Sequence, residues 1–160
     1  QDPDVDKVAL SKAKALWEWR VETAKHKADP QAHREELIQF GALFVSRKLP
    51  EAWALEQLQW VLNVYHWIEP DDAVTSCLAE VQDENLPQAV HCLSMMIEGD
   101  KESWHIIAWR EKIRVLLSRA RASKDEETSN AATALIHRLG SLGYLEYRDL
   151  LFNGDNSAPR

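Results

Sequence analysis

The chain has only five glycines and six prolines in 160 residues, little material for the tight turns of a hairpin-rich β protein. Gly41, Gly99, Gly140, Gly143 and Gly154 stand alone and form neither a P-loop nor a GxGxxG, so neither common phosphate cradle is present. No apolar run approaches the length of a membrane span, and no membrane partner is expected. Two cysteines, Cys77 and Cys92, are too few for a disulfide framework and point to a reducing cytoplasm. CxxC, HExxH, HxxxH and GxSxG are all missing, so the expectation is no metal, no cofactor and no catalytic residue. Positive charge is in the minority: 19 Lys and Arg against 26 Asp and Glu give a net −7, which makes nucleic acid an unexpected partner. Gln1-Asp2-Pro3-Asp4 carries neither an initiator Met nor a basic-then-apolar leader, and reads as the start of a piece cut from a longer protein.

What is present is helical periodicity. Trp53, Trp60 and Trp67 are spaced seven apart in one stretch, residues 51–68. On a helical wheel the apolar side chains of that stretch cover roughly 240° of the circumference, against the stripe of about 100° that suffices for a surface helix. Such a helix needs neighbours on at least two sides. Pro30, Pro50, Pro70 and Pro87 each precede an apolar-periodic stretch and read as helix starts, with Asp29 as an N-cap and Asp71 and Asp72 in a favourable first turn. The expected series is 5–27 with Val5, Ala9, Ala13 and Leu16 inward, 30–46, 51–68, a fourth helix carrying Val74, Cys77, Leu78 and Val81, then 87–98, a sixth ending at Arg121, 125–139, and a short segment 144–152. Gly41 is expected at a close helix crossing, and Gly99 and Gly140 at helix ends. Short loops between helices imply antiparallel hairpins. The expectation is a single all-α domain over 1–152, built as a short irregular HEAT-like α-solenoid or else as a compact helical bundle, followed by a polar disordered tail at 153–160.

Several stretches together carry a resemblance: Leu16-Trp17-Glu18-Trp19-Arg20, Phe40-Gly41 leading into Trp53-Ala54-Leu55, Glu98-Gly99-Asp100 before Trp109-Arg110-Glu111, and His137-Arg138-Leu139-Gly140 through Gly143-Tyr144 to Leu150-Leu151. The set resembles the C-terminal helical-repeat region of very large bacterial multidomain proteins, including predicted STAND-type NTPases of phage defence. The resemblance implies a sensor or scaffold region whose NTPase and effector lie upstream, with the Gly-Tyr-containing end as the cap of the array.

Polar clusters are few. His91 and Cys92 are adjacent on one helix and diverge by about 100°, so they cannot chelate one ion together. Glu98, Asp100 and Glu102 read as cap and surface charges. Arg110, Arg114 and Arg121 share one side of the sixth helix, with Trp104 and Trp109 just before them; phosphates on Arg and bases on Trp would make a nucleic-acid track. The alternative is a solvated face compensated by Asp125, Glu126 and Glu127. Among the tryptophans, Trp17, Trp53 and Trp60 are expected in the core and Trp19 at the surface. The function expected is non-catalytic interaction with a protein partner or with upstream domains of the same chain, through a surface that includes Trp19, Arg110, Arg114 and Arg121. Two rivals are a nucleic-acid module using the Arg stripe and an enzyme with His91, His105 or His137 as base in an inter-helix groove.

Overall fold

Proline and aspartate set the helix starts. Pro30 opens a 3-10 turn whose N-cap Asp29 accepts from Gln31 N at 3.0 Å, Pro50 and Pro70 stand immediately before helices, and Pro87 lies in a first turn. Asp125 caps in the same way, accepting from Thr128 N at 3.0 Å. The computed structural model describes residues 3–27 and 29–152; the expected disordered tail lies outside them. Among the described residues there are eight α-helices and no strand: α1 Pro3–Lys25, α2 Arg34–Leu37, α3 Phe40–Val45, α4 Glu51–Tyr65, α5 Asp71–Ala79, α6 Leu86–Gly99, α7 Trp104–Arg121 and α8 Glu126–Ser141, then a 3-10 segment Leu145–Leu151. The all-α reading holds.

The helices pack in two rows. One row runs α4, α6, α8; the other runs α3, α5, α7 and on to the 3-10 segment; α6 and α7 join them. Leu55, Leu58, Val61 and Leu62 of α4 are fully enclosed, as an interior helix requires. Each such side chain contributes about 1.5–3 kcal/mol by burial.

Four expectations need correction. α1 turns the face bearing Val5, Ala9 and Leu16 to solvent and packs through Trp17, Val21 and Ala24 instead. Trp17 explains the choice: it stacks on Phe40 at 4.4 Å and donates to Gln57 Oε1 at 3.0 Å, while the Arg20–Glu36 pair closes the rim. The expected helix 30–46 is broken at residues 38–39, where Ile38 O accepts from Glu69 N at 2.9 Å and Ala42 N bonds Gln39 O at 3.1 Å. α4 stops at Tyr65, where His66 adopts a left-handed conformation with φ 56°. Finally, Trp17, Trp53 and Trp60 are half-buried against the core, whereas Trp109 is wholly enclosed.

Gly41 does mark a close approach, but to a loop. A Cβ there would lie 2.2 Å from Glu69 O, and one on Gly99 would lie 1.9 Å from His66 O. Gly99 is thus the last residue of α6, set there by backbone proximity, and α8 runs past Gly140 to Ser141. Gly99→Ala and Gly41→Ala should each destabilise the domain by about 1–3 kcal/mol or more, since main chain must move to admit the methyl group. Denaturant titration checks this; an unchanged midpoint for both would contradict it.

Candidate functional site

The most organised polar constellation gathers where α5 and α7 meet. Asp71, first residue of α5, accepts from Trp109 Nε1 at 2.9 Å and from His105 Nδ1 at 3.0 Å, both on Oδ2. Trp109 and His105 are four residues apart on α7 and so share a face. Trp67, from the α4–α5 loop, lies edge-on to His105 at 4.7 Å and tilted to Trp109 at 6.2 Å. Lys112 pairs with Asp72 one turn further along. A carboxylate on Nδ1 fixes the tautomer that leaves Nε2 of a neutral imidazole as acceptor, the arrangement a general base requires. Among the described residues no Ser, Thr or Cys side chain hydrogen-bonds that nitrogen.

A groove of about 620 Å³ opens beside Trp67, between Arg34, Tyr65, His66, Glu69, Glu98 and Lys101. Its charges are mixed and do not converge on one ligand sign. His91 lies in a separate groove of about 350 Å³ between α6 and α8, with Glu98 and Arg138, and His137 is exposed on α8. The structure does not bring His91, His105 and His137 into one site. Among the described residues no group of three His, Cys, Asp or Glu stands together as a metal shell. Cys77 and Cys92 are free and buried, and burial pushes the Cys92 thiol up to about 12, far from the thiolate that reactivity needs.

The arginines divide by task. Arg114 pairs with Asp149 at 2.9 Å, donates to Glu146 O and lies over the Tyr147 ring. Arg121 donates to Leu150 O and Leu151 O, both at 3.3 Å, and to Ser129 Oγ at 2.8 Å. These two guanidinium groups hold the 3-10 segment Leu145–Leu151 against α7. Arg110 is exposed, and its guanidinium pairs with the neighbouring Glu111 at 3.7 Å. The three therefore do not form one free track, and Trp109, enclosed and bonded to Asp71, has no face to offer a base. Trp19 is 59% exposed and Trp104 is 71% exposed. Arg119, also on α7, closes the far end of α5 by donating to Ala79 O and Val81 O at 2.8 and 2.6 Å.

No family model, curated protein or solved structure matches the chain.

Two outcomes follow from this geometry. Asp71→Ala leaves the enclosed Trp109 N–H without its acceptor and should cost about 1–3 kcal/mol, read by thermal melts; a shift within error would contradict it. The Arg114 hydrogen bond holds the Asp149 carboxyl below the usual carboxylate range. A depressed folded value means stability that is present above the unfolded value and lost as pH falls through the folded one. The Tyr147 ring signals should therefore shift as the segment loosens below about pH 4, and Arg114→Ala should abolish that dependence; an identical profile in the variant would contradict the clamp.

Proposed function

We propose that this chain is a non-catalytic protein-interaction or scaffold domain, a short HEAT-like solenoid from the C-terminal region of a larger bacterial protein working in the cytoplasm. The helical-repeat resemblance and the packing of successive helices into alternating rows support the architecture. The observation that carries the interaction reading is the outward face of α1. Val5, Val8, Leu16 and Trp19 are all largely exposed, although the same helix already buries Trp17, Val21 and Ala24 on another face. A helix apolar on two faces with one of them in solvent is the pattern of a docking helix, because contiguous exposed apolar surface is costly unless used. The partner is a protein, or another domain of the same polypeptide.

The enzyme reading has one observation in its favour, the Asp71–His105 pair. That carboxylate also serves the enclosed Trp109, and among the described residues no nucleophile hydrogen-bonds the open nitrogen, so the pair reads better as a strut between α5 and α7. The nucleic-acid reading is weakened by the net −7 and by the engagement of Arg114 and Arg121 with the C-terminal segment.

A photo-crosslinking amino acid at position 16 or 19 tests the proposal inside the cell. The expected result is an adduct of discrete mass from both positions and none from Glu56, exposed on α4. Absence of adducts, or the same adducts from every exposed site, would overturn it.

A further inference from the structure

The outward apolar stripe of α1 has a counterpart on α7. On α1 it consists of Val5, Val8, Lys12, Leu16 and Trp19; on α7 it consists of Trp104, Ile107, Glu111, Val115 and Ser118. In both the intervals run three, four, four, three, and each set falls within about 80° of one helix face. All ten residues are exposed. Each stripe is apolar on both sides of a single central charge, a lysine on α1 and a glutamate on α7. Trp104, Ile107 and Val115 are among the largest exposed apolar side chains of the domain.

Resting on the reading of α1 as a docking helix, we infer that its partner is a second copy of this chain, whose α7 receives α1 antiparallel with Lys12 against Glu111. In that register Trp19 meets Trp104, Leu16 meets Ile107, Val8 meets Val115 and Val5 meets Ser118. The parallel arrangement also pairs the charges but sets the large Trp19 against Ser118, so the antiparallel one leaves less apolar surface facing a hydroxyl. Charge selects this pairing over the symmetric ones. Two α1 stripes would place Lys12 against Lys12, and two α7 stripes Glu111 against Glu111, in either direction. Like charges in contact at the centre of an interface are costly, whereas an opposite pair fixes register. Among the described residues the ion pair of Glu111 is a 3.7 Å one with neighbouring Arg110, both side chains well exposed, and water screens it. Because donor and acceptor faces differ, two copies either exchange both α1–α7 contacts about a two-fold axis or each gives α1 to one neighbour and receives α1 from another, as a ring or an open chain. A contact between two single helices lies at the small end of specific interfaces, below about 1,200 Å² in total, so the association is weak and concentration-dependent.

Sedimentation across a concentration series tests this with the chain as it stands. The wild type should gain mass with concentration. Lys12→Glu alone and Glu111→Lys alone should each weaken association by at least about tenfold, and mixing the two variants should restore it, because each then supplies the charge the other needs. A second mixture, Leu16→Asp with Ile107→Asp, blocks one face in each partner and should stop at a one-to-one dimer. Thermal melts confirm folding, since all four positions are exposed. A monomer at every concentration, single variants that associate like wild type, or mixtures that fail to recover would each overturn the inference. Crosslinks from position 16 separate it from the broader reading: adducts on residues 104–118 of a second copy support it. Adducts to a different protein overturn the second-copy partner and leave the interaction reading standing, and no adduct at all removes both.

Discussion

The fold depends on the short connection between α4 and α5, residues 66–70, which is held by main chain on both sides. His66 O lies against Gly99 at the end of α6, and Glu69 O lies against Gly41 in α3. Glu69 N donates to Ile38 O at 2.9 Å, and Ile68, with no exposed surface, fills the space between. One loop thus ties a helix of each row to the other. The bend at residues 38–39 accompanies it: Ile38 O accepts from Glu69 N, and Ala42 N turns to Gln39 O at 3.1 Å. Trp67 leaves the same loop to meet His105 and Trp109 on α7.

Around this connection, side chains satisfy the helix ends that the rows leave open. Arg119 takes the carbonyls of Ala79 and Val81 after α5. Glu51 accepts from Gln82 N at 2.8 Å and from Asn85 Nδ2 at 2.6 Å, binding the start of α4 to the start of α6. Asp100, buried, accepts from Ile106 N at 2.9 Å and so organises the first turn of α7. Most of the apparent chemistry of the sequence is spent in this way. Asp71, His105, Arg114 and Arg121 each look like functional residues in isolation, and each has an internal partner. The exposed apolar side chains of α1 and α7, such as Val8, Leu16, Trp104 and Ile107, take no part in these ties.

The helices and their order were legible because prolines, aspartate caps and apolar spacing are local signals. The inward face of α1 was not, because the helix carries two apolar faces and a wheel cannot say which one meets the protein: Val5 and Leu16 compete with Trp17, Val21 and Ala24. Trp109 could have been placed: it stands four residues before Ile113 and seven before Leu116, on the apolar face of α7. Its acceptor could not, since Asp71 is distant in sequence and reads locally as a residue suited to a helix start. The loss of helix at residues 38–39 was equally invisible, since the Glu69 N–H that meets Ile38 O comes from another part of the chain. For the surface residues, the exposure of Trp19 and Arg110 was readable from position, but the engagement of Arg114 and Arg121 with the last turns of the chain needed the tertiary fold.

A domain built this way should divide sharply into a held core and an outward arm, and native-state hydrogen exchange on the dilute chain measures that division most directly. The expected result is strong protection across α4, α5, α6 and α7, where the two rows are tied through the 66–70 connection, and weak protection over residues 5–16 of α1, whose amides are held by their own helix alone. Equal protection of residues 5–16 and α4 in a monomer would contradict it, because the α1 stripe would then already be covered within the chain and unavailable to any partner.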